Sequence, residues 1–185
     1  MPRTPLQFQQ MKDERKLSIL ESALPLFAVH GTNISIDMIC QKAKCSHGLA
    51  YHYFKNVDQI YSELLKSETY KNLFSDLNNF SLEKEAYPQI VEVVKKLLNV
   101  VNDSKTLISF ALIIVSDNDK KSFSANLAKL VANGQKEGTV TGGNPSDIVG
   151  TFILFIKGLY QTLLNQKHPD IKVPSIDNIL QIFER

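Results

Sequence analysis

Two cysteines, two histidines and two tyrosines, all capable of acid–base, nucleophilic or metal chemistry, crowd into "CQKAKCSHGLAYHY", Cys40 to Tyr53. Cys40, Cys45, His47 and His52 are the ligand types that zinc takes. Their spacing argues against it. None of the usual paired Cys-x2-Cys intervals is present. On a helix, His47 and His52 diverge by roughly 140°. No Ser/His/Asp or Cys/His set with an orienting carboxylate stands out either. A buried structural thiol is the simpler role for each cysteine. Neither a metal nor a cofactor is expected, and the protein is not expected to be an enzyme.

The elements that hold these residues are helical. Apolar residues recur at three- and four-residue spacing almost throughout, and no alternating run argues for a strand. "TPLQ" offers Thr4 as cap, Pro5 at the first position and Gln7 as reciprocal partner. The first helix then carries Leu17, Leu20, Leu24 and Phe27 as its stripe, with a kink expected at Pro25 and a stop at Gly31. Ser35 caps a short helix over 35–43, with Ile36, Ile39, Cys40 and Ala43 inward. After a tight turn Ser46 caps another over 46–54, with Ala50 and Phe54 inward. Asn56, with Gln59, opens a fourth over 56–74. Longer helices follow over 88–101, 105–115, 119–137, 146–165 and 175–185, about nine in all. The chain reads as all-α, with a division expected between 1–55 and 56–185.

The 185 residues, 43% hydrophobic and 22% charged, are ordinary for a globular protein, and the N-terminus lacks a signal pattern. The longest unbroken apolar runs, "FALIIV" and "TFILFI", fall short of the roughly 18 residues of a bilayer span. Two cysteines so close make a poor disulfide framework, so a reducing cytoplasm is expected and a membrane is not. Residues 1–58 hold seven Lys/Arg against five Asp/Glu, while 59–185 hold fourteen of each. That small excess points to an anionic partner at the N-terminal end.

Two short helices joined by a tight turn and braced by a longer one describe a helix-turn-helix, whose second helix enters the DNA major groove. Ser46 turns free N–H groups outward, and Gly48 removes a side chain where the helix must come close. Tyr51, His52 and Lys55 supply donors. In order and spacing, Gly31, Ser35, Ile36, Ile39, Ala43, Ser46, Gly48, Tyr51, Tyr53, Phe54, Asn56 and Ile60 resemble the N-terminal signature of the TetR family of bacterial transcriptional regulators. The chain departs from that signature at Lys44 in place of the turn glycine, at Cys45 and Ala50 in place of larger apolar residues, and at Val57 in place of lysine. Lys44 is therefore expected in a left-handed conformation.

The resemblance implies a repressor that binds a palindromic double-stranded operator as a homodimer. His47, Leu49 and Tyr51 would reach base edges; Ser35, Ser46, Tyr51, His52 and Lys55 would hold phosphates, with Gly48 contributing backbone. The last two helices would pair two copies through Phe152, Phe155, Leu159, Leu163, Ile179 and Phe183. A small-molecule effector would sit in the bundle among Tyr70, Phe74, Phe80, Phe110, Ile114, Phe123 and Phe152, with Ser109, Asn118 or Asn126 for polar contacts, and would release the DNA by tilting the fourth helix. The alternatives are an interaction module whose helix-turn-helix has turned to protein partners, a metal-binding protein, or an enzyme.

Overall fold

The computed structural model describes residues 4–116, 122–165 and 172–184. These form ten α-helices and no strand: α1 (Pro5–His30), α2 (Ile36–Ala43), α3 (His47–Tyr53), α4 (Val57–Leu65), α5 (Glu68–Leu77), α6 (Ala86–Asp103), α7 (Lys105–Ser116), α8 (Phe123–Glu137), α9 (Pro145–Asn165) and α10 (Ile176–Leu180). They fall into two compact units, Met1–Tyr70 and Lys71–Arg185, with the division inside α5. Contacts thus place α4 with the first unit, where the sequence suggested a boundary at 55/56.

In the first unit, α1 packs on α2 and α4, and α2 on α3. Thr4 and Gln7 cap α1 reciprocally, and the helix runs on through Pro25 to Gly31, whose N–H bonds Phe27 O at 2.8 Å. Gly31 has φ 61°, a conformation that favours glycine. The buried stripe is Ile19, Ala23, Leu24, Phe27 and Ala28; Leu17 is exposed. The stripe expected from Leu17 is rotated because α2 and α4 meet α1 along its C-terminal half. The sequence joins α4 and α5 into one helix over 56–74. They part at Lys66–Ser67, where the Ser67 hydroxyl accepts the Tyr70 N–H and starts a new helix.

In the second unit α9 packs against α7 and α8, α6 against α7 and α8, and α10 against α6. Tyr160 on α9 is buried and donates its hydroxyl to Leu97 O at 2.7 Å, satisfying the one polar atom it brings inside. Gly134 lets the chain double back: a Cβ there would collide with the Val140 side chain. Helix α8 starts at the Ser122 cap; Asp119, where the sequence starts it, lies outside the described residues. Helix α9 is long and apolar enough to cross a bilayer by length and composition, which the short unbroken runs did not suggest. Its apolar face is instead covered by α7 and α8, at Val149, Phe152, Ile153, Ile156, Leu159 and Tyr160.

Candidate nucleic-acid interface

The turn between α2 and α3 is closed by backbone hydrogen bonds. Lys44 lies at φ 50°, ψ 46°, the left-handed conformation expected of it, and its N–H bonds Gln41 O at 3.3 Å while Cys45 N–H bonds Cys40 O at 3.0 Å. These two bonds satisfy the last carbonyls of α2 and turn the chain sharply. A lysine there costs about 1 kcal/mol against glycine. Ser35 and Ser46 cap their helices, accepting from Met38 and Leu49 N–H at 3.2 and 3.3 Å. As caps they only accept, so each hydroxyl hydrogen is left to donate outward.

Successive α3 residues turn by about 100°. His47, Tyr51, Gly48 and His52 therefore share one arc of roughly 140°, and all four are exposed. Ala50, on the opposite side, is buried with Phe54, as the sequence suggested, and Tyr53 is half-buried. Leu49 falls on the inward side of the arc and is half-buried, so the structure does not bring this expected base contact onto the face with the others. Lys55 follows α3 and is exposed, as is Ser35. Among the described residues, Tyr51 Oη and the ammonium groups of Lys44 and Lys55 have no partner within the chain. At Gly48, an added Cβ would meet no protein atom within 4 Å. Nothing inside the chain asks for that gap.

Behind this face the scaffold is tied down. Lys16 on α1 reaches Glu63 on α4 at 3.0 Å, and its ammonium lies 5.8 Å from the Phe54 ring centroid at the end of α3. The hydrogen bond and charge of Lys16 hold the Glu63 carboxyl below its usual range. The Phe27 and Tyr61 rings meet at 4.9 Å, tilted by 50°, between the same two helices. Asn56 caps α4, and Gln59 bonds back to the Lys55 N–H at 2.7 Å, one residue before the cap. One long helix thereby holds α2, α3 and α4 in register, and the exposed arc with them.

The four sulfur and imidazole groups are occupied otherwise than by a shared centre. Cys40 is buried, and burial, followed by its contact with Cys45, pushes its thiol up to about 11. A thiol held protonated is neither a good ligand nor a nucleophile. His47 Nε2 lies 3.1 Å from Asp37 Oδ1, a pairing across the turn that residue spacing cannot reveal. His52 makes an edge contact with the Tyr53 ring at 5.1 Å.

The aromatic residues expected in an effector pocket or a dimer interface sit mostly in the core of the second unit. Phe110, Ile114, Phe123 and Phe152 are buried, as are Leu159, Ile179 and Phe183. Phe152 and Phe183 pack on each other at 5.1 Å in the chain's own interior. Tyr70, Phe74, Phe155 and Leu163 are half-buried. Asn126 bonds the Asn78 side chain at 3.0 Å and Ser109 bonds Lys105 O at 2.7 Å; Asn118 lies outside the described residues. None of the expected pocket residues lines the groove of about 500 Å³ between α8 and α9, which is walled by Val115, Ala128, Val149 and Ile153 with Ser122 and Lys157. Phe80 lines a separate, more polar hollow of about 410 Å³ beside Lys84 and Gln89. The face of α9 turned from the core carries Leu154, 71% exposed, with Gly158 beside it.

A braced helix-turn-helix with an exposed arc, followed by an all-helical second unit, is the architecture of a transcription regulator. Residues 19–64 match the family model of bacterial regulatory proteins of the tetR family, so the helix-turn-helix and its bracing helices are similar to that family's N-terminal domain. Solved structures of similar fold include the MbdR regulator of Azoarcus sp. CIB, 20% identical with TM-score 0.61, covering 91% of this chain and 96% of that one. SmeT, the repressor of the Stenotrophomonas maltophilia multidrug efflux pump SmeDEF, is 14% identical with TM-score 0.54, covering 92% and 90%. A TetR family regulator from Pseudomonas syringae pv. tomato is 16% identical with TM-score 0.53, covering 93% and 98%. No curated protein matches the chain at significant similarity.

Proposed function

We propose that the protein is a cytoplasmic repressor that binds a palindromic operator as a homodimer and is released by a small-molecule effector. The observation that carries this is the α3 arc of His47, Gly48, Tyr51 and His52, exposed on a scaffold that spends an ion pair and a buried aromatic contact to hold it. A helix with its side chains is about 10–12 Å across, the width of the major groove. His47 and Tyr51 read base edges, while Ser35, Ser46, His52 and Lys55 hold phosphates. The gap at Gly48 admits the sugar–phosphate wall.

A single helix-turn-helix grips few phosphates, so two copies are needed on one palindrome. The outward face of α9, with Leu154, Phe155 and Gly158, offers apolar area and close approach to a second copy. The effector binds in the second unit, and the α8–α9 groove is suited to an apolar molecule with a polar end near Lys157. It acts by preferring one packing of that unit over another, and its effect on DNA affinity is bounded by that preference. The protein works by binding and not by turnover.

The test is titration of the protein against DNA from upstream of its own gene at two salt concentrations. Lys55→Ala is expected to weaken binding to every sequence and to reduce the salt slope by about one ion. A loss confined to one sequence would count against the phosphate role. No binding at low salt would turn the reading toward a protein partner.

A further inference from the structure

We infer, resting on the DNA-binding reading above, that Asp37 is a specificity-determining positioning residue: it clamps the His47 ring so that Nδ1 reads an exocyclic amino group in the major groove. Asp37 lies in the first turn of α2 and His47 opens α3. Their side chains meet at 3.1 Å across the turn although 58% of His47 and 61% of Asp37 stand in solvent. A carboxylate can only accept, so the ring nitrogen facing it, Nε2, carries the hydrogen. A neutral ring then has Nδ1 as a lone-pair acceptor, and that is the nitrogen left for another partner.

The positive end of α2 favours the Asp37 carboxylate, but the DNA-binding reading sets a cost against it. It sits between Ser35 and His47, on the side of the molecule where the excess charge is positive, and it would face a polyanion. A lone carboxylate there repels phosphate. Paired with His47 at 3.1 Å, it instead orders a ring that would otherwise sample several rotamers, removing an ordering cost before DNA arrives. The major-groove edges distinguish the outcome. Adenine N6 and cytosine N4 present amino donors, whereas guanine O6 and thymine O4 present acceptors. An oriented acceptor therefore prefers adenine or cytosine at one position in each half-site. The neighbouring Tyr51, whose hydroxyl both donates and accepts, cannot make that choice alone.

The experiment measures binding of the full chain at pH 8 to operator duplexes varied one base pair at a time, for the wild type, Asp37→Ala, Asp37→Asn, His47→Ala and the Asp37→Ala/His47→Ala double variant. One position per half-site is expected to favour adenine or cytosine by about fivefold, the worth of one net hydrogen bond. Asp37→Ala and His47→Ala should each flatten that preference, and the double variant should lose nothing more. Asp37→Asn, whose amide oxygen still accepts, should keep part of it. A preference for guanine or thymine at the position His47 reads overturns the inference. So does an Asp37→Ala variant that binds all duplexes more tightly with preferences intact, because that is the removal of a charge and nothing else. Carbon relaxation of the His47 ring in DNA-free protein tests the clamp separately. The ring should be ordered in the wild type and mobile in Asp37→Ala; equal mobility in both overturns the clamp. An ordered ring in a protein that binds no duplex would dispose of the DNA reading, and of the inference with it.

Discussion

Tyr51 on α3 leaves 55% of its surface in water, while Phe152 on α9 leaves none. Both are aromatic residues at helical spacing, and both were expected to do a functional task. The difference lies in what each helix has to pack against. Helix α3 is seven residues long and packs chiefly on α2, through Ala50 and its neighbours, so much of its circumference stays exposed. Helix α9 is 21 residues long and lies against both α7 and α8, so its large side chains are consumed by the core. In the first unit folding is done by α1 and the buried side of each short helix, which frees a face for a partner. In the second unit folding buries more than half of the aromatic residues and leaves open the α8–α9 groove and the outer strip of α9.

The largest effect should come from treating Phe152 as the core residue it is. Phe152→Ala should destabilise the protein by about 3–5 kcal/mol, since the cavity is lined by Phe183 and cannot collapse freely. Denaturant unfolding checks this, with a midpoint that falls at every protein concentration alike. A loss visible only at low protein concentration would instead restore Phe152 to an interface.

Leu154→Glu probes the other side of the same helix. If a second copy covers Leu154, the charge should weaken self-association by about 2 kcal/mol or more, the worth of one buried leucine. Monomer unfolding should hardly change. Sedimentation equilibrium of wild type and variant separates the two, and an unchanged dimer would move the interface elsewhere.

Gly48→Ala should split stability from binding. Its Cβ meets no protein atom, so the folded protein should gain about 0.5–1 kcal/mol. DNA affinity should fall as the methyl group enters the space the phosphate wall needs. Thermal melts and DNA titration on the same sample read both signs, and a variant better at both would leave Gly48 without a role in contact.

The smallest effect belongs to the scaffold. Glu63 has its folded-state pKa lowered by Lys16 from an ordinary 4.5. Its contribution is therefore complete above the unfolded value and vanishes as pH falls through the folded one. For a pair this exposed it is worth at most about 1 kcal/mol. Glu63→Gln should lose that increment at pH 7 and match the wild type in acid beyond the folded pKa. Parallel stability curves down to low pH would show the pair to be ornamental.

Much of the first unit was legible from residue order. Caps are local: Thr4, Ser35, Ser46 and Asn56 each satisfy an N–H three residues on, and such bonds depend on little beyond their own turn. The left-handed Lys44 was legible for the same reason. The break at Lys66–Ser67 was missed because the apolar spacing continues across it, although Ser67 is itself a capping residue. That Leu49 is half-buried was not legible, because a seven-residue helix has too few turns for its spacing to show which arc faces the core.

The amino-acid sequence by itself determined the all-helical class, the caps of the first four helices and the helix-turn-helix, because those follow from hydrogen bonds and side-chain rotation within a few residues. Only the tertiary structure decided which aromatic side chains are core and which are free. It alone paired Asp37 with His47 and Lys16 with Glu63. Burial and cross-helix contact depend on which helices meet, and periodicity along one helix carries no record of its neighbour.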